Sequence, residues 1–510
     1  MYCQTMGNPD FTVSQPYSSQ TARVKARHLA SSALLQRATG IMLGLLLALG
    51  TSSISAQQNL PSMGEPADSA LSPIEEQQLG AQFMRQIRTQ LPLVRDVQLT
   101  EYIQNLGARL VLASGKGEAR DFTFFIIDDP QINAFAIPGG YVGINSGLVA
   151  VMQEEEQLAS VVAHEVAHVT QRHHARAFAT GNRATLSTAA AVLAAIIIGQ
   201  ASPHAGQAAL AAGLAASQQS AINFTRSNEI EADRIGIEIL SNARYDARAM
   251  AETFAILRRQ NSLNTSGLQL EYLRTHPLDN NRIAEAADRA DSQPPRARTQ
   301  SADYELFRAR LSVLTATDSG ELMRTYLARH RKLPDIANSY ALALISQRAN
   351  KLEEAKAYLQ ELDTLIKAHP MVELLRADIA TMDKQRSDDT VLAALSDLYP
   401  ERYSIVEKRL EQLIQDRRLG LAMQVANEYL RSNSHPDPLA WRQLASIQER
   451  LDDQAGSHES LARYFQALDE LERAMGQLEL ALQQVAPESQ DELRLEASLK
   501  ELRDQAIRLR

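Results

Sequence analysis

The sequence predicts two successive folds: an α+β domain, mainly helical with a small β-sheet, then an all-α domain of helical repeats. Three observations carry this. A β-rich stretch between residues 122 and 145 interrupts an otherwise helical pattern. An apolar helical run, Leu158 to Val169, contains His164-Glu165-Val-Ala-His168. Beyond residue 301 no strand signal remains, and small residues recur at a fixed interval: Ala343 to Ala355 and Ala462 to Ala474 are each twelve apart. At 510 residues the chain exceeds one ordinary domain, and its 45% apolar share with few aromatics suits Ala- and Leu-rich helices. The formal charge is −9, with no Lys/Arg-dense block after residue 60, so a nucleic-acid partner is not expected and proteins or peptides are.

The elements follow in order. Arg23, Lys25, Arg27 and Arg37 precede the apolar run Ile41 to Gly50 and then small residues ending at Ala56. That is the pattern of a secretory signal peptide over residues 1–56 with a long N-region, and the apolar run is about half the ~20 residues of a spanning helix. An uncleaved anchor is the alternative. Cleavage after Ala56 would remove Cys3, the sole cysteine, so the exported chain is expected to have no disulfide and no catalytic thiol. Residues 57–72 read as a mobile leader. Helical pattern runs from Pro73 to about Ala113, broken near Pro92. Residues 122–128 and 134–145 read as strands, with a turn at Pro138-Gly139-Gly140. Helix returns from Gln153 to Ala179 and again over 227–289. Ala184–Ala221, broken at Ser202-Pro203, is expected to be a small-residue hairpin beside the site, with membrane contact the lesser reading. Asp291 to Arg298 has linker chemistry, placing the boundary at 291–300 between domains 73–290 and 301–510. In the second domain Leu342-Ala343, Ala355, Leu359, Leu461-Ala462, Phe465, Ala474, Leu478, Ala481 and Pro487 fall near tetratricopeptide (TPR-like) spacing, with Trp441, Leu444 and Ala445 opening another unit. A plain helical bundle is the alternative.

Each helical residue advances about 100°, so His164 and His168 lie about 40° apart and one turn apart, able to grip one metal. Glu165 sits beside them, within reach of a water that zinc acidifies. A catalytic zinc needs a third ligand and an open position. Glu229 is the better candidate, four residues before Asp233 on one face of a second helix, with Asp233 placed to orient a ligand histidine or a water. His174 stands where the metzincin pattern puts its third histidine, but Gln171 occupies the position of that pattern's turning glycine. On a continuous helix His174 is out of reach and His173 faces nearly the opposite way, so both are expected at the surface. Glu231 points about 160° from Glu229 and is expected to be a solvated charge.

His164-Glu165-x-x-His168, Glu229-x-x-x-Asp233, and His276-Pro277 with Arg282 together resemble the gluzincin family of CAAX prenyl endopeptidases and the bacterial heat-shock membrane protease. With its signal peptide and helical repeats, the chain is most similar to the periplasmic β-barrel assembly-enhancing group. The resemblance covers residues 70–290 by motif and 301–510 by architecture. It implies a zincin-type metalloprotease with one Zn2+ per chain, held by His164, His168 and Glu229, with Glu165 as general base and Asp233 assisting. It also implies a Gram-negative periplasmic location, clients among unfolded or misassembled outer-membrane proteins, and a chaperone-like repeat domain at the outer-membrane β-barrel assembly machinery. Peripheral membrane association is compatible with it. The alternative is chiefly a chaperone or scaffold whose protease is normally self-inhibited. The strand and turn from Asn133 through Gly139 and Gly140 to Asn145 resemble the family's edge strand, expected to pair with extended substrate. His276, kept out of helix by Pro277, is expected on a loop that can reach the open metal position. There it would displace the water, or, swung aside, support the oxyanion. Merely capping structure around Arg282 is the alternative.

Overall fold

The computed structural model describes residues 71–118, 121–180, 218–264, 270–298, 301–383 and 389–508. The expected targeting segment, almost all of the leader and most of the Ala-rich stretch 184–221 lie outside them. Helix α1 (Pro73–Gln90) starts where Ser72 and Glu75 cap one another's backbone N–H groups and Pro73 takes the first helical position. Helix α2 (Val97–Ser114) is capped by Asp96 and stopped by Gly115 in the left-handed region. Both pack on a three-stranded sheet of β1 (Thr123–Ile127), β2 (Ala134–Ile137) and β3 (Tyr141–Asn145). The order is β1-β3-β2, parallel between β1 and β3 and antiparallel between β3 and β2. The hairpin turn needs its glycines: Gly139 and Gly140 have φ of 81° and 82°, and a Cβ on Gly140 would lie 2.0 Å from the Asp121 carbonyl oxygen. Residues 92–94 line the outer side of β1, where Val94 N donates to Ile126 O at 2.9 Å. The opposite outer strand is β2.

After α3 (Ser146–Val151) comes α4 (Glu155–Thr170), the central helix, buried from Glu155 through His168. One continuous helix to Ala179 was the sequence expectation. Instead Arg172 adopts φ 52°, ending α4 and redirecting the chain into α5 (His173–Thr180). Arg172 is held there by a 2.9 Å ion pair to Glu76 and a 2.6 Å bond to the Leu71 carbonyl, both anchored outside its own helix. Helix α6 (Gln218–Asn242) lies along α4, and Gly236 permits the approach. A Cβ there would sit 3.3 Å from the His164 backbone nitrogen and 2.9 Å from the Met250 methyl. Helices α7 (Ala249–Leu263), α8 (Glu271–Thr275) and α9 (Asn280–Asp291) complete this layer.

The rest of the described chain is helical, as expected, in α10 (Ala302–Leu314), α11 (Ser319–His330), α12 (Ile336–Arg348), α13 (Leu352–Leu365), α14 (Pro370–Met382) and α15 (Asp389–Leu398). It continues through α16 (Tyr403–Gln415), α17 (Leu419–Ser432), α18 (Pro438–Arg450), α19 (Gln454–Ala467), α20 (Leu471–Leu482) and α21 (Gln490–Arg508). Consecutive helices pair. Their contacts bury the small residues singled out by spacing: Ala343 and Ala355 in one cluster, Ala462, Ala474 and Ala481 in another. Small side chains there let helix axes approach, which is what stacked repeats require. The array also joins the first layer. Tyr304, Phe307 and Leu311 of α10 share the core built around α4, and Val97 of α2 packs with Tyr403, Val406 and Ala440. Arg310 of α10 grips the α2 cap, Asp96, through bonds of 2.8 and 2.6 Å. Among the described residues no helix is long and apolar enough to cross a membrane.

The Gly236 contact predicts a graded result. Gly236→Ala needs the flexible Met250 tip to move aside and the His164 backbone to give by a few tenths of an ångström, whereas the bulkier Gly236→Val pushes α6 further off that backbone and should cost more, about 1–3 kcal/mol, as overpacking does. Urea unfolding midpoints measure the difference; equal midpoints for the two variants would contradict the close approach.

Candidate metal centre

Helix α4 presents His164 and His168 one turn apart, both buried, toward α6, whose Glu229 meets them. His168 Nε2 lies 3.0 Å from His164 Nε2, and the Glu229 oxygens lie 3.4 Å from each of those nitrogens. His276, just past α8 with φ −119° and ψ 77°, brings its Nδ1 to 3.3 Å from His164 Nε2 and 3.1 Å from Glu229. These four side chains form a metal-binding cluster whose ligand atoms all lie within 4.8 Å of one another. Zinc with arms of about 2.0–2.1 Å sets tetrahedral corners about 3.4 Å apart, so the donor set and spacing fit it. Ring nitrogens and a carboxylate converging out of water need a shared cation to offset their burial. Glu165, 1% exposed, sits at the same place: its Oε1 has no hydrogen-bond partner and lies 3.5 Å from His276 Nε2.

Around this cluster the second nitrogens and spare oxygens are held. His164 Nδ1 stands 3.0 Å from Asp233, and Arg282 donates to both Asp233 oxygens at 2.7 and 2.8 Å. The same guanidinium donates to the Pro277 carbonyl at 2.6 Å and stands 3.0 Å from Glu229. It thereby fixes the loop that carries His276. Tyr272 stacks on the His276 ring at 4.8 Å.

Electrostatics follow from this packing. Burial pushes His164 down, but Asp233 and Glu229 outweigh it and carry the ring up to about 10. Burial holds His168 well below its ordinary value against the pull of Glu229. Burial would raise Glu229, yet His276 and His168 keep it well below the usual carboxylate range. The carboxylates of Glu229 and Asp233 thus favour positive charge at the site.

The structure brings together His164, Glu165, His168, Glu229, Asp233, His276 and Arg282. Asn133, Gly139 and Gly140 are placed differently. Asn133 is buried and its carbonyl accepts from Asn145 N at 3.0 Å, while the glycines make the turn and pack on α1 and Asp121, shaping β2 without joining its free side. Two surface expectations fail. His173 is 3% exposed, with Nδ1 2.8 Å from His168 Nδ1. His174 is half-buried, and burial pushes it down to about 4 against the opposing influence of the Ala136 backbone of β2. Glu231 is not simply solvated either: it pairs with His173 at 3.2 Å and Arg176 at 2.9 Å. All three corrections have one cause, the left-handed turn at Arg172, which rotates α5 out of the continuous-helix register. A non-glycine residue gave no sign of it.

Residues 97–290 match peptidase family M48. The chain is similar to the beta-barrel assembly-enhancing protease of Escherichia coli, 34% identical over 448 residues that cover 87% of this chain and 91% of that protein. It is similar to the protein of the same name in Yersinia pestis, 34% identical over 464 residues, 88% and 93% of the two chains. More distantly, it resembles the mitochondrial metalloendopeptidase OMA1 of Schizosaccharomyces pombe, 30% identical over 184 residues, 36% of this chain and 51% of that one.

Because Asp233 and Glu229 raise His164 to about 10, zinc must displace a proton to use its Nε2. Zinc affinity should therefore rise with pH between 6 and 9, by about tenfold per unit for one proton. Calorimetric titration in buffers of differing ionisation enthalpy should find about one proton released per zinc near pH 7. A pH-independent affinity would contradict the charge balance described above.

Proposed function

The chain belongs to peptidase family M48, a metallopeptidase with one zinc-type site, and we propose how its residues divide the work. His164, His168 and Glu229 are the protein ligands of zinc, and Glu165 is the general base. The observation that carries this is the convergence of His164, His168 and Glu229 in one buried cluster, with Glu165 3.5 Å from the cluster's fourth member, His276. When bound, zinc supplies a Lewis acid and lowers the pKa of water at the site. Glu165 Oε1, which has no hydrogen-bond partner and stands 3.5 Å from His276 Nε2, is placed to take the water's proton and pass it to the leaving amine. Asp233 keeps His164 aimed, and Arg282 keeps Asp233 charged and in place.

His276 supports a regulatory reading. A catalytic zinc site keeps an open position, and here His276 Nδ1 stands in the ligand cluster, which is a closed, four-donor arrangement. This favours a protease restrained at rest, in which the repeat array acts on clients more continuously than the zinc site does. Swung aside on its loop, His276 can donate to the developing oxyanion.

The substrates are proteins. We place the chain in the periplasm of a Gram-negative bacterium. There the peptidase unit, residues 73–290, would cleave unfolded or misassembled outer-membrane proteins, and the repeat unit, 301–510, would engage the β-barrel assembly machinery. Support comes from the similarity to assembly-enhancing proteases over 87% of the chain and from the paired helices. Extended clients would pair with the free side of β2, the outer strand of the sheet. A cleft of 1450 Å3 between the start of α4 and α10–α12, lined by Glu154, Arg298, Tyr304, Arg308 and Asn338, gives a second place to hold them.

Glu165→Gln should keep zinc and lose about 10²–10⁴ in hydrolysis rate; near wild-type turnover would reject the base assignment. His276→Ala should retain zinc through the other three ligands and raise basal peptide cleavage, measured with a short quenched peptide. A drop in turnover instead would mean that oxyanion support outweighs restraint, and unchanged kinetics would remove both roles. A folded protein and its unfolded form should be cut at different rates, the unfolded one faster; equal rates would argue against pairing at β2.

A further inference from the structure

A ligand histidine has a second ring nitrogen, and what that nitrogen meets sets the ring's tautomer and aim. For His164 it meets Asp233. For His168 it meets a chain of groups that runs outward: His168 Nδ1 lies 2.8 Å from His173 Nδ1, and His173 Nε2 lies 3.2 Å from Glu231 Oε2. That same oxygen accepts from Arg176 Nη1 at 2.9 Å, and Arg176 Nη2 donates to Asn228 at 3.2 Å. His173 is 3% exposed, whereas the Glu231 side chain at the outer end is 28% exposed.

We propose that His173 and Glu231 are positioning residues for the zinc ligand His168, a His–Glu relay that fixes its tautomer and strengthens its hold on the metal. The proposal rests on the reading of His168 as a ligand through Nε2. Two imidazole nitrogens 2.8 Å apart form a hydrogen bond only when one carries a proton and the other does not. His168, giving Nε2 to zinc, keeps its proton on Nδ1 and is the donor. His173 Nδ1 is then the acceptor, which leaves the proton of His173 on Nε2, aimed at Glu231. A carboxylate only accepts, and Arg176 only donates, so each assignment forces the next and all are satisfied together. Polarised outward in this way, His168 becomes a more basic ligand.

The backbone shows that the contact is built rather than incidental. Five residues along a continuous helix would set His173 about 140° from His168. The left-handed Arg172 breaks the helix between them and brings His173 under the ligand, while Glu76 and Leu71 hold Arg172 in that conformation. His164 has its own relay in Asp233 of α6 and Arg282 of α9. Neither serves the other's histidine.

The test compares His173→Gln with His173→Phe in the full-length protein, reading zinc affinity by competition with a chelator and kcat separately from KM. A glutamine can accept from His168 and donate to Glu231; a phenylalanine fills the space and does neither. His173→Phe should weaken zinc binding by about 10–100-fold, the usual effect of removing a ligand's outer partner. His173→Gln should restore most of that loss. Glu231→Ala, at a partly exposed position, should give an intermediate loss and serves if the phenylalanine variant does not fold. Unchanged zinc affinity in His173→Phe or in Glu231→Ala would overturn the proposal. So would equal losses in the phenylalanine and glutamine variants, which mean that the ring only fills space. His168→Ala is the control: if it binds zinc normally, the ligand assignment has failed and not the relay.

Discussion

Arg282 gives two hydrogen bonds to Asp233 and a third to the Pro277 carbonyl while only 3% exposed. A guanidinium taken so far out of water is tolerable only when its donors are met by opposite charge and by carbonyl oxygen in good geometry. The consequence reaches three elements at once. Asp233 holds His164 of α4, Glu229 leaves α6 on the same face, and the His276 loop is tied to both through Pro277. Removing one partner of such a buried pair leaves an uncompensated charge, with a typical penalty of about 3–5 kcal/mol, so the pair supports the fold as well as the metal. Gly236 supplies the complementary constraint, since α6 must lie close to α4 before any of these contacts can form.

Much of this is legible in the sequence. Two histidines four apart with a glutamate between them, in an apolar run, carry their own geometry, because a helix turns by a fixed angle per residue. Glu229 and Asp233 share a face for the same reason. His276 leaves helix because Pro277 restricts the residue before it, and the structure has it outside helix, at φ −119° and ψ 77°, inside the cluster. The small residues of the repeats mark close helix packing, and Ala343, Ala355, Ala462 and Ala474 are all buried.

What escaped the sequence shares a single origin. Periodicity assumes that a helix continues until glycine or proline stops it, and Arg172 is neither. Its positive φ is sustained by Glu76 and the Leu71 carbonyl, which lie about a hundred residues away in sequence and cannot be inferred locally. Once the chain turns there, His173 goes under His168, His174 goes to Ala136 of β2, and Glu231 gains partners. Helix α5 therefore touches a metal ligand with one residue and the outer strand with the next. The engagement of α10 with the peptidase core is a tertiary fact of the same kind, carried by Tyr304, Phe307 and Leu311 in a helix whose own pattern reads as one more repeat.

The central claim is a single zinc held by imidazole and carboxylate groups with His276 among them. Zinc-edge X-ray absorption on the purified full-length protein tests it most directly, because it counts ligands without requiring turnover. The account predicts about four nitrogen or oxygen neighbours at about 2.0–2.1 Å with no sulfur, and an imidazole signal that falls by one ring in His276→Ala. A six-coordinate shell, or an imidazole count that His164→Ala and His168→Ala leave unchanged, would contradict it.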